Sequence, residues 1–166
     1  MGLSFSCRGK RGLTMLLVSV LMVFGLWGNA HWDRAGAAEG GPAPEFLNTD
    51  PNTSAPYSDA VRVGSTLYLA GLLGLGDDGK LVPGGITPES ERTMENLKQI
   101  LERNGSSLDR VVSCLLFLAD FSERPAFNEV YKKYFQKGRF PARTAVGTSG
   151  LHDGARVEIS CTAVVK

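Results

Sequence analysis

Apolar residues follow three patterns along this chain: one unbroken run near the start, then short alternating segments, then two stretches with helical spacing. Alternation predicts strands over 60–63 and 66–70, with Gly64-Ser65 as a tight hairpin turn between them. Glycines at 71, 74, 76, 79, 84 and 85 then predict a loop with a small hairpin around Asp78-Gly79. A helix follows, with Thr87 as cap, Pro88 at the first helical position, and Glu89 and Glu91 near its positive end. Met94, Leu97, Ile100 and Leu101 form its apolar stripe, and Asn104-Gly105 supplies a left-handed stop. The stretch "RVVSCLLFLAD" is apolar at consecutive positions and predicts a strand covered on both faces. A second helix is expected from Glu123 or Pro125 to Phe135, burying Phe127, Val130, Tyr131 and Tyr134. Strands over 142–148 and 156–165 complete the order strand-strand-helix-strand-helix-strand-strand. Two helices on one face of a mixed or antiparallel sheet, an α+β fold, is the economical packing for that order.

The first 54 residues belong to a different class. Arg8, Lys10 and Arg11 precede the apolar run over 13–27, and small residues follow at Gly28, Ala30, Ala35 and Ala37. Fifteen residues are short for a membrane span but suit a signal peptide over 1–30, cleaved after Ala30 or as late as Ala37. The expectation is export, to the periplasm, with membrane attachment only through an uncleaved leader. Residues 31–54 lack periodicity and are expected to form a tether; 55–166 form the domain. Without its leader the chain has 15 Lys and Arg against 17 Asp and Glu, a net charge of −2. That balance gives no electrostatic footprint for nucleic acid. Cys7 leaves with the leader, while Cys114 and Cys161 lie in apolar strand-like runs and are expected as free buried thiols rather than a disulfide.

The candidate chemistry centres on "FPARTAV", where Arg143 stands alone among small and apolar residues. On a strand it shares a face with Ala145 and Gly147, so a fixed fork of donors has open space beside it, which suits a planar carboxylate. His152, in "GLHDG", reads as a turn residue, and His31 is the other histidine, so no metal-ligand cluster or catalytic Ser-His or Cys-His set is expected. The glycine-rich "GLLGLGDDG" lacks the Gly-Lys-Ser/Thr ending of a phosphate loop.

Several motifs in order and spacing, "APYSDAVRVG", "NLKQILERNGSSLDRVV", "FNEVYKKYF", "FPARTAV" and "GARVEISCTAVV", make residues 55–166 resemble the reactive intermediate/imine deaminase family, RidA or YjgF. The resemblance implies a chorismate-mutase-like α+β fold and a homotrimer with pockets at the subunit boundaries. It also implies cofactor-free hydrolysis of enamine or imine acids, of the 2-aminoacrylate type, to 2-oxo acids and ammonia. Arg143 and Glu158 match the family's catalytic positions, and Tyr57, Gly71 and Asn128 match its substrate-binding ones. Ala70, Leu72 and Ala145 depart from the pattern and remove polar groups, which implies a bulkier or more apolar substrate or lost turnover.

On this reading Arg143 clamps the substrate carboxylate and Glu158, sharing the same cavity, moves a proton through water. Gly71 lets backbone approach the substrate, and Tyr57 closes the pocket. The alternative is an exported, non-catalytic trimer that holds a small carboxylate in the same pocket; a chaperone-like surface protein is a weaker third reading.

Overall fold

The computed structural model describes residues 40–166; the expected signal peptide and the first part of the tether lie outside the described residues. Six strands form one sheet: β1 (Glu45–Leu47), β2 (Ala60–Val63), β3 (Thr66–Leu69), β4 (Val111–Leu118), β5 (Ala142–Gly147) and β6 (Val157–Val164). Their order across the sheet is β1-β2-β3-β6-β4-β5. Every neighbouring pair is antiparallel except β4 and β5. A parallel pair needs a crossover, which α2 (Arg124–Tyr134) provides between those two strands. The other helix, α1 (Ile86–Arg103), packs beside α2 and against β6.

Both helices cover one face of the sheet. Met94, Leu97 and Leu101 of α1 and Phe127 and Val130 of α2 are buried against Leu67, Leu116, Leu118, Val157 and Ile159. β6 shows why: its residues alternate, with Val157, Ile159, Cys161 and Ala163 buried and Glu158, Ser160, Thr162 and Val164 partly exposed on the helix-free face. Gly64 holds the β2–β3 turn at φ +58°, a conformation that costs a residue with a side chain.

The structure corrects four local expectations. The expected tether contains β1, which pairs with β2; three residues among Pro, Gly and Asn are too few to show a period. Helix α1 starts earlier than Thr87, with Gly85 as its cap and no side-chain capping bond. Gly84 and Gly85 turn the chain at φ +111° and +87°, and Pro88 falls in the first turn, where its missing N–H leaves no bond unmade. β4 is not covered on both faces in this chain: Cys114, Leu116 and Leu118 are buried, whereas Leu115 is 49% exposed. Tyr68 on β3 and Val146 on β5 are exposed on the same helix-free face.

The fourth correction concerns the cysteines. Both are buried, as expected, but they face one another across the β4–β6 ladder and are joined as a disulfide. Two apolar strand patterns do not tell which strands are neighbours or in what register, and that register decides whether two thiols meet.

Candidate functional site

β5 is the edge strand next to β4, and its register pairs Arg143 with Cys114, so the Arg143 side chain emerges on the helix side. There it meets α2. Its Nη2 donates to Asn128 Oδ1 at 2.6 Å, and its Cζ lies 4.4 Å from the Tyr131 ring centroid and 5.7 Å from that of Phe127. These π faces stabilise a half-buried cation without neutralising it. Burial pulls the guanidinium below its usual pKa, Tyr131 opposes that shift, and the charge of Arg124 adds to it. Arg143 Nη1 is buried with no hydrogen-bond partner, and so is the hydroxyl of Tyr131. Burial also raises the Tyr131 phenol above its ordinary pKa, against the pull of Arg143. A cavity of about 210 Å³ opens here, lined by Asn128, Tyr131, Lys132, Phe140 and Arg143. Buried donors left unpaired beside a cavity are what an anion or an ordered water would satisfy.

Glu158 belongs to a different place. It lies opposite Phe117 in β4, on the helix-free face, two strands from β5 and on the other side of the sheet from Arg143. The reading that both residues share a cavity therefore does not hold within one chain. Alternation was visible on each strand, but the relative register of β5 and β6 was not. What Glu158 does meet is Gly71: a Cβ at position 71 would stand 1.8 Å from Glu158 Oε1. The carboxylate thus lies directly against the Gly71 backbone, in space that a side chain there would take.

Tyr57 and Gly71 line a second cleft of about 430 Å³, together with Ala70, Leu72 and side chains of α1 such as Asn96 and Arg103. Glu158 and Arg143 are both absent from its walls in the single chain. Tyr57 is 63% exposed at its mouth. The loop that carries Gly71 is pinned from α1: Asn96 Nδ2 donates to Leu73 O at 2.9 Å and Leu75 O at 3.0 Å, and Arg92 Nε to Leu75 O at 2.7 Å. Leu72 exchanges backbone bonds with Ile159, which places the loop beside β6. The expected hairpin at Asp78-Gly79 forms within it, closed by bonds between Gly76 and Lys80 and between Gly74 and Val82. His152 is a turn residue, as expected, and it too borders this cleft.

Sequence reasoning assigned Tyr131 to the core and missed its place beneath Arg143. The signal was available in its spacing: Asn128 and Tyr131 are three apart on one helix and so adjoin on its surface. It also undervalued Glu89, expected only to favour the helix dipole. Glu89 is 4% exposed and accepts from the backbone N–H of Arg156 at 2.7 Å and of Val157 at 3.2 Å, fixing the entry of β6 just before Glu158.

Comparison with known proteins agrees with this architecture. The profile of the family described as Endoribonuclease L-PSP matches residues 47–165. A mouse protein named 2-iminobutanoate/2-iminopropanoate deaminase is 43% identical over 115 residues, which span 69% of this chain and 84% of that protein. The human protein of the same name is 38% identical over 69% of this chain and 83% of its own length. Among solved structures, yeast Mmf1 superposes with a TM-score of 0.69 at 34% identity, covering 75% of this chain and all of that one. RidA from the Antarctic bacterium Psychrobacter sp. PAMC 21119 gives 0.67 at 34% identity, covering 73% and 99%. With its motifs, its two helices on a mixed six-stranded sheet and a match over most of its length, this chain is a member of the Endoribonuclease L-PSP family, the RidA or YjgF proteins.

Proposed function

We propose that this chain hydrolyses 2-imino and 2-enamino acids to 2-oxo acids and ammonia, in sites completed between copies of itself. The observation that carries the reading is Arg143: a charged fork with an unpaired buried donor, oriented by Asn128 and Tyr131 beside an open cavity. Such a fork holds a carboxylate in plane and so places the adjoining C=N carbon at a defined point. Water then adds its oxygen to that carbon, the nitrogen gains protons, and the C–N bond breaks to release ammonia and leave C=O. No electron changes hands. One carboxylate able to accept the water's proton and return it to the nitrogen suffices, and Glu158 takes that role, held against Gly71.

Because Arg143 and Glu158 lie on opposite faces of one sheet, a joint site needs the Glu158 side of a neighbouring copy. The open sheet face supports this: Tyr68, Leu115 and Val146 expose apolar area that a second and third copy would cover, as in the trimer the family resemblance implies. We also read the chain as exported. The Cys114–Cys161 disulfide supports an oxidising compartment, in line with the signal-like leader.

The direct test generates 2-iminopropanoate in situ and follows its loss with the full-length chain. Acceleration that Arg143→Ala abolishes is the expected result. Carboxylate binding without acceleration would overturn the enzymatic reading in favour of a binding protein.

A further inference from the structure

The positive charge of this domain is concentrated in the segment that runs from α2 to Arg143. Residues 124–143 contain six Lys and Arg and a single acidic residue, Glu129, whereas the rest of 40–166 has 8 Lys and Arg against 14 Asp and Glu. Within that segment Arg124, Asn128 and Lys132 follow one another at four-residue steps, a stripe along one side of α2 about 12 Å long. Asn128, its middle member, is the residue that holds Arg143. Asn128 and Lys132 line both the Arg143 cavity and a neighbouring groove of about 430 Å³ that also takes in Phe121 and Arg124. The two hollows therefore share a wall.

Two carboxylates lie close to this stripe. Glu123 is committed elsewhere, receiving Arg156 Nε on both oxygens at 3.0 Å, whereas Glu129, which also lines the groove, receives Lys132 at 2.8 Å and so leaves Arg124 as the groove's unpaired cation. Arg124 forms no ion pair among the described residues and lies over the Phe121 ring at 5.6 Å. It is also the first residue of α2, where the positive end of the helix disfavours a cation. Its charge is felt at Arg143, where it disfavours the second cation. A solvated basic face does not require that arrangement, but a ligand with two negative groups relieves it.

We propose that Arg124 is a specificity-determining residue that binds a second anionic group of the substrate, so that the preferred class is imino dicarboxylates, with the first carboxylate on Arg143. The inference rests on the deaminase reading for the placing of that first carboxylate. It assigns the basic groove the distal carboxylate, two or three carbons away, and makes binding strongly salt-dependent.

The test compares three imino acids made in situ with the full-length chain: the monocarboxylate from alanine, the dicarboxylate from aspartate and the apolar one from leucine. The expected kcat/KM is about tenfold higher for the dicarboxylate than for either other, a gap that narrows as salt rises. Arg124→Ala should lower the dicarboxylate value about tenfold more than the monocarboxylate value, and Arg124→Glu should reverse the order. Equal values for all three, a preference for the leucine-derived imine, or a ratio that Arg124→Ala leaves unmoved would overturn the proposal. Titration with stable 2-oxo acids separates it from the deaminase reading: a dicarboxylic 2-oxo acid binding more tightly than pyruvate, by a margin Arg124→Ala removes, upholds the anionic subsite even where no imine is hydrolysed. Equal binding of the two overturns it.

Discussion

The carboxylate of Glu158 occupies the space that a side chain at Gly71 would fill, 1.8 Å from where a Cβ would stand. Gly71→Ala should therefore push Glu158 aside rather than unfold the domain, since the carboxylate is the flexible partner of the clash. We expect kcat to fall by about 10²-fold, the lower end of what a displaced general acid-base group costs. Adding Glu158→Ala should make the Gly71 change nearly silent. Steady-state kinetics on the four members of this double-mutant cycle measures that coupling, and independent effects of the two substitutions would contradict the relationship.

Placing Arg143 and Glu158 on opposite faces predicts complementation. Arg143→Ala and Glu158→Gln chains should each be inactive alone. In mixed trimers that assemble at random, about a quarter of the boundary sites would combine an intact Arg143 from one copy with an intact Glu158 from another. Recovery of about that share of activity on co-expression is the expected outcome. Mixtures as inactive as the single variants would place the whole site within one chain.

Arg143→Lys should not rescue the clamp. Lysine offers a point charge without the fork, and its ammonium makes a poorer partner for Asn128 and the Tyr131 face. A loss of roughly 1.4–2.7 kcal/mol in transition-state binding is expected, about 10- to 100-fold in kcat/KM, read from initial rates.

The disulfide closes a segment of sequence separation 47. Chain-entropy arguments give about 4 kcal/mol for a loop of that size, so Cys114→Ala with Cys161→Ala should lower unfolding stability by a few kcal/mol. Denaturant titration with and without reductant measures it. Thiol counting on a chain lacking residues 1–37, and with them Cys7, should find no free cysteine before reduction.

Tyr134 predicts a pH effect. Burial first, and then the neighbouring Glu95, push its phenol up to about 12 from an ordinary 10.0. The folded state thus holds the proton more tightly than the unfolded state. Its contribution is full below pH 10 and is lost as pH rises from about 10 to about 12. Unfolding curves across that interval should steepen in the native chain and flatten in Tyr134→Phe.

The layers of this fold were legible in the sequence because each signal is local. Alternation in β6, the stripe of Met94, Leu97 and Leu101, and the glycine at the β2–β3 turn are all visible within a few residues. What escaped depends on distant pairing. β1 is a strand because β2 offers it an edge, and Cys114 meets Cys161 because β4 and β6 are neighbours in register. The site follows the same division: Arg143, Asn128, Gly71 and Glu158 were recognisable by motif, and the closeness of Asn128 to Arg143 and of Gly71 to Glu158 emerged with the fold. The opposite facing of Arg143 and Glu158 required the strand order.

That opposition sets a limit on the isolated chain. A sheet is one backbone thick, so no rotamer of either side chain can carry a charge from one of its faces to the other. Catalysis by this pair would therefore be a collective property, extinguished by dilution below the concentration at which copies stay together, and restored on concentrating without any refolding.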